Sequence, residues 1–156
     1  MEKLKSDLRY FFKYLVFFLL GGSIYFMIEI LFRGYSHPSM FILGGICYIL
    51  IGIINEYFPW EMYIETQTLI GTGIVLILEF ITGCIVNLWL GWNVWDYSDQ
   101  CCNILGQVCL LFAIIWIPVV LYAILLDDSV RHIFFKEEYP RYTSWIVEKI
   151  KSLKKK

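Results

Sequence analysis

Four apolar runs, about residues 14–32, 40–58, 69–90 and 104–126, dominate the chain. Each is close to the ~20 residues that a helix rising 1.5 Å per residue needs to cross ~30 Å of hydrocarbon. Runs of that length leave little choice of secondary structure, because lipid offers backbone groups no partner and a helix supplies its own. The connectors are short and carry turn chemistry: 33–39 holds Gly34 and Pro38, 59–68 opens on Pro59, and 91–103 is polar and aromatic. The expected fold is an all-α integral membrane protein. Residues 1–128 form four transmembrane helices in an up-down bundle, and 129–156 a basic cytoplasmic tail. The first run follows Lys3, Lys5, Arg9 and Lys13, as a signal peptide would. It is too long for a signal core, contains Glu29 and lacks a small-residue cleavage pattern, so it reads as a retained span.

Charge placement orients the bundle. Hydrophobic residues make up 59% of the chain and charged residues 17%, too few to cover a soluble domain of 156 residues. The net charge of -1 hides a segregation. With four spans, both ends and the second connector share a side, which carries every Lys and Arg except Arg33. Basic excess marks the cytoplasmic face, so both termini are expected there, in a multi-pass protein of the cell membrane. Tyr14, Tyr35, Tyr57, Trp60, Trp89, Trp92 and Trp95 fit aromatic belts at the interfaces. Cys47, Cys84 and Cys109 lie in apolar surroundings, while the adjacent Cys101 and Cys102 suit neither a disulfide framework nor a zinc site. The chain carries no Walker A, zinc-helix or dinucleotide motif. A non-enzyme without cofactor, metal or nucleic-acid partner is expected, and any ATP hydrolysis belongs to a separate subunit.

Polar residues inside the spans are the candidate chemistry. A carboxylate in hydrocarbon must be paired, hydrated or protonated, which makes Glu29, Glu56 and Glu79 functional candidates. In span 3, Thr72, Glu79, Thr82, Gly83 and Asn87 share one helical face. Glu79 lies about ten residues, or ~15 Å, from the cytoplasmic start, near the midplane. Span 2 presents Gly45, Tyr48, Gly52, Asn55 and Glu56 on one stripe, and span 1 presents Gly22, Tyr25 and Glu29. Arg33 follows Glu29 in the favoured acid-first i,i+4 order. Two readings stand for these stripes. They are packing seams of small and polar residues, or Glu79, Thr82, Asn87, Gln107, Glu29 and Glu56 bind an ion, proton or polar solute. Glu79 is the strongest candidate, since spans 2 to 4 contain no basic residue.

The third connector holds Trp95-Asp96-Tyr97-Ser98-Asp99, which reads either as an acidic mouth that gathers cations or as a Trp-anchored loop with Asp96 capping a turn. Asp127, Asp128, Arg131 and His132 read as a helix terminus with local ion pairs, and Pro118 as a bend in span 4. Beyond Ser144, the apolar Trp145, Ile146, Ile150 and Leu153 recur at helical spacing among Lys149, Lys151, Lys154, Lys155 and Lys156. The pattern points to a short amphipathic, lipid-binding helix, with a soluble basic tail as the alternative.

Leu78-Glu79-Phe80-Ile81-Thr82-Gly83, Trp95-Asp96-Tyr97-Ser98 and Asn103-Ile104-Leu105-Gly106-Gln107-Val108-Cys109 resemble the CmpB-type family of ABC-transporter permeases, as do 39–45 and Asn55-Glu56. The family is mostly bacterial. The resemblance implies a small multi-span membrane protein that works as a permease-like or channel-like component. Similar proteins carry Pro-Phe where this chain has Cys101-Cys102. Four helices enclose little space, so a transport role calls for a homo-oligomer or a partner membrane subunit. A non-transporting scaffold or regulatory partner in the bilayer is the competing function. An intramembrane enzyme built on the Asp127–His132 group is the third.

Overall fold

The computed structural model describes residues 2–57 and 62–154, with the side chains of 2–6, 55 and 57 left aside. The Phe58 end of span 2, Pro59, Trp60, Lys155 and Lys156 lie outside the described residues, and the side chains of Asn55 and Tyr57 are likewise not described. Among those described, the chain is all-helical and has no strand, only two isolated bridges, Tyr63 with Thr143 and Ile104 with Val108. Helix α1 is Glu2–Arg33, α2 Pro38–Tyr57, α3 Ile64–Gly83, α4 Leu110–Phe135 and α5 Trp145–Leu153. Helix α3 continues into a π-helical turn, Cys84–Trp89. Three stretches, 7–33, 64–89 and 110–135, are long and apolar enough to cross a membrane, and α2 is a shorter apolar helix over Pro38–Ile54.

Two expected boundaries move. Helix α1 starts well before Tyr14, because no Gly or Pro interrupts the polar residues ahead of it and Lys13 is drawn into buried ion pairs. The fourth span does not start at Ile104. Leu105 and Gly106 take positive φ values of 51° and 69°, the Gly106 N–H donates to Asn103 Oδ1, and the Ile104 N–H donates to Val108 O. Those side-chain and turn bonds outcompete a helix until Leu110. At its other end α4 runs on to Phe135, where Lys136 closes it in the left-handed conformation. Asp127, Asp128 and Arg131 therefore sit inside the helix and not beyond it.

Helices α1 and α2 meet along a glycine seam, since small residues let backbones approach where no hydrophobic force separates helix from lipid. A Cβ at Gly44 would lie 2.3 Å from Tyr25 Cβ, and one at Gly21 would lie 2.1 Å from Tyr48 Cβ. On the other side of α2, Val75 of α3 and Val120 and Ile124 of α4 complete a core with Leu43, Cys47 and Ile51. Helix α2 is thus the central helix, with α1 on one flank and α3 and α4 on the other.

Gly44→Leu should break the seam and destabilise the protein by ~1–3 kcal/mol or more. Gly73→Ala, where nothing lies within 4 Å of the added Cβ, should be neutral or stabilise by about 0.5–1 kcal/mol. Thermal melting in detergent measures both. Equal melting points for the two variants would show that the α1–α2 contact is not held at glycine distance.

Candidate functional site

Glu79 lies one turn before the end of α3, in the interior of the longer 64–89 stretch, with only 3% of its surface exposed. Each of its oxygens accepts one hydrogen bond from a different helix. The Tyr25 hydroxyl of α1 donates to Oε1 at 2.7 Å, and the Trp116 indole N–H of α4 donates to Oε2 at 2.9 Å. The Tyr25 and Trp116 rings pack on each other with centroids 5.2 Å apart. No Lys, Arg or His pairs with Glu79 among the described residues. The expectation of a sequestered midspan carboxyl rests on this geometry.

The chemistry of this clasp is selective. A metal cation needs several oxygen ligands, yet both carboxyl oxygens are engaged by neutral donors and Trp116 offers no acceptor. A proton needs only one acceptor. Protonation of Oε1 lets the Tyr25 oxygen turn from donor to acceptor without moving either side chain, because a hydroxyl does both.

The other expected members lie elsewhere. Thr82 is half-buried and outside this group, and the Thr72 hydroxyl donates to Thr68 O of its own helix at 2.8 Å. Glu29 pairs with Arg33, as the spacing predicts, and accepts from the Ser36 hydroxyl. Asn87 and Gln107 do meet, Asn87 Nδ2 donating to Gln107 Oε1 at 2.7 Å, but they fasten the outer loop and not Glu79. Asn87 Oδ1 accepts the Val94 N–H at 2.7 Å, and Gln107 O accepts the Trp95 indole N–H at 2.9 Å. Arg33 reaches the same loop, donating to Val94 O at 3.0 Å. The π-helical turn aims Asn87 at this loop, and Gly83 leaves the room: a Cβ there would lie 2.5 Å from Gln107 Oε1.

The loop carries one correction, and its Asp96 takes the turn-capping geometry that was one of its two readings. Trp95, expected in an interfacial belt, is buried, because its N–H finds a carbonyl inside the seal. Asp96 caps a turn: its Oδ1 accepts the Ser98 N–H at 2.8 Å and the Ser98 hydroxyl. Those bonds hold its carboxyl below the usual Asp range. Tyr97 stacks on Phe112 at 4.5 Å, and Asp99 is exposed beside Gln100.

At the far end Glu56 joins a second cluster. Lys13 of α1 bonds Glu56 at 3.1 Å and Glu137 at 2.7 Å. Arg131 of α4 pairs with Asp127, one turn earlier, and with Glu56 of α2. The predicted local ion pair is there, but Asp127 is only 1% exposed and Arg131 4%, so that pair is interior, while the pairs through the more exposed Glu56 join three helices. Tyr142 donates to Asp128, and burial together with that carboxylate pushes the phenol well above its usual range.

Comparison with known proteins agrees with this picture. The family model described as putative ABC-transporter type IV, of the CmpB type, matches residues 10–152. The chain belongs to that family. No curated protein and no solved structure matches it. As a CmpB-type chain with several membrane-length apolar helices, it is a transmembrane protein of a transporter-type family.

Sequence reasoning found Glu79 and placed Tyr25 on a seam but passed over Trp116, which an apolar run makes look like filling. The available signal was its indole N–H, which needs an acceptor when buried, and Glu79 is the one acidic residue in the middle of a neighbouring span. Arg131→Met should cost ~3–5 kcal/mol, since the buried Asp127 loses its charge partner while Glu56 keeps Lys13. Asp127→Asn in the same chain should restore part of it in thermal melting. Absence of any recovery would mean that Asp127 is not the group left unpaired.

Proposed function

We propose that this CmpB-type protein is a transport component whose intramembrane proton site is Glu79. The observation that carries the reading is the three-helix clasp, in which a buried carboxyl of α3 is held by neutral donors of α1 and α4 with no cation beside it. A carboxylate at a span centre costs ~2.5–3.5 kcal/mol on insertion scales, so its retention with only two neutral donors calls for a use. Proton occupancy redistributes the Tyr25 hydrogen bond, and through it the hold of α1 on α4. In this reading 14–32, 40–58, 69–90 and the helix from Leu110 are four spans, both termini are cytoplasmic, and 1–128 is one membrane domain. A partner membrane subunit, a second copy or a separate ATPase supplies what four helices lack. The clasp also supports a second reading, a non-transporting scaffold, because it saturates Glu79 entirely within the fold.

Glu79→Gln separates the two. The amide keeps the shape and both contacts, its oxygen facing Trp116 and its nitrogen facing the Tyr25 oxygen, but it takes up no proton. In proteoliposomes with a pH-sensitive dye, proton flux should fall on the order of 100-fold while melting stays within about 1 kcal/mol of wild type. Wild-type vesicles without flux, alone and with co-purified partners, would leave the scaffold reading.

The tail completes the proposal. On α5, Trp145, Ile146, Ile150 and Leu153 are exposed, as are Lys149, Lys151 and Lys154. The helix touches the body through Ser144 with Glu65, Tyr63 with Glu148 at 3.0 Å, and the Ile64 N–H with Thr143 O. We infer that its apolar side lies in the headgroup boundary of an anionic leaflet, each Lys near the surface adding ~1 kcal/mol. Impermeant maleimide should reach Cys101 and Cys102 from outside. Leu153→Cys should be shielded in anionic vesicles and labelled in neutral ones. Equal labelling of Leu153→Cys in both, or reaction of Cys101 and Cys102 from the cytoplasmic side alone, would refute the tail and the orientation respectively.

A further inference from the structure

Helices α1 and α4 flank a lateral cleft of about 390 Å³, walled by Ile24 and Ile28 on one side and Val119, Tyr122 and Ala123 on the other. Its volume falls within the ~300–1,000 Å³ of small-molecule sites. It leads to an inner pocket of about 50 Å³ lined by Tyr25 and Trp116, the two side chains that hold Glu79. Tyr48 of α2 lines both spaces. Only 4% of Tyr48 is exposed, and its hydroxyl has no hydrogen-bond partner. A buried phenol is enriched where one end is apolar and the other finds a partner, so the lone hydroxyl asks for one from the cleft.

The surroundings fix the chemistry of that partner. The walls are apolar and flanked by the exposed Met27, Leu121 and Leu125, so the occupant comes from the hydrocarbon and not from water. One turn along α2 from Tyr48, Asp127 Oδ1 faces Gly52, where an added Cβ would lie 2.5 Å away, and this oxygen also lacks a partner. Arg131 pairs with this carboxylate, so the two together offer no net charge to draw a charged headgroup. We propose that the α1–α4 cleft binds a neutral lipophile whose chain fills the apolar walls and whose carbonyl or hydroxyl oxygen accepts the Tyr48 hydroxyl. The site is separate from the Glu79 proton site in its groups, and it stands if that reading fails. Its inner end touches Tyr25 and Trp116, so an occupied cleft buttresses the α1–α4 contact at the clasp.

The test is photolabelling of the whole protein in proteoliposomes with a diazirine-bearing hexadecanol, with labelled residues located by mass spectrometry. Label should concentrate on Ile28, Val119 and Tyr122. Unlabelled hexadecanol should compete it away about tenfold better than hexadecane, the discrimination expected of one hydrogen bond. Tyr48→Phe, which removes only the oxygen and leaves the packing, should abolish that preference, and Val119→Trp should fill the cleft and remove the label from Ile28. Equal competition by the alkane, an unchanged preference in Tyr48→Phe, or label spread evenly over lipid-facing Leu69 and Ile77 would each overturn the proposal. So would crosslinks between two copies at Val119, which would make the cleft a helix–helix interface.

Discussion

A carboxyl group in the middle of a lipid-embedded helix must be supplied with donors by its neighbours, and most of the interior follows from how Glu79 obtains them. Tyr25 comes from α1 and Trp116 from α4, so one side chain of α3 ties the two helices at the margins of the cleft. Both donors are aromatic, and their rings pack on each other, so the polar contact is enclosed by apolar surface. That enclosure strengthens the hydrogen bonds through the low local dielectric, and it raises the penalty for any rearrangement that leaves one unmade. The glycine seam between α1 and α2 serves the same end. Gly44 brings the Tyr25 backbone close enough to α2 for its ring to reach across toward α3 and α4.

The two ends of the bundle are closed by different chemistry, and charge segregation explains why. At the end that carries the Asn87 loop, Arg33 is the one basic residue, and it is largely committed to Glu29. The outer loop is therefore held by amide and indole groups, with Asn87, Gln107 and Trp95 bonding backbone and one another. At the end that carries the termini, lysine and arginine are plentiful, and α1, α2 and α4 are joined by Lys13, Glu56, Arg131 and Asp127. Buried ion pairs contribute little net stability against a well-packed apolar alternative, but breaking one partner is severe. The inner end is accordingly rigid in register, and the outer seal depends on a network of neutral groups, each contributing about 0.5–1.5 kcal/mol.

The amount of this legible in the sequence depends on how local the signal was. The helical character of the apolar runs and the Glu29–Arg33 spacing are local or periodic signals, and each predicts its outcome. The residues 104–109 misled because Ile104, Leu105, Val108 and Cys109 are as apolar as a helix start. Gly106 and the preceding Asn103 carried the turn signal, and hydropathy hides it. Trp95 misled for the reason that Trp116 did: an indole near a span edge or within an apolar run looks interfacial or structural until its N–H is followed to an acceptor. Glu56 was placed on the right stripe of α2, but its partners Lys13 and Arg131 are 43 and 75 residues away, and no spacing rule reaches that far.

Closure at both ends and opening at the side together constrain how such a bundle exchanges anything with its surroundings. On the proposed reading of Glu79 as a proton site, one end of the bundle is closed by the Asn87–Gln107–Trp95 seal and the other by Asp127 and Arg131. The α1–α4 cleft opens sideways between apolar walls that offer a proton no path, and the pocket beside it is lined by Tyr25 and Trp116. On the same proposed reading, protonated Glu79 donates to the Tyr25 oxygen, which turns from donor to acceptor. The carboxyl and the cleft then meet at the Tyr25 and Trp116 side chains without sharing a binding group. Coupling between two sites is reciprocal by thermodynamic necessity, so a cleft occupant that favours one state of the proposed proton site is itself favoured by that state to the same factor.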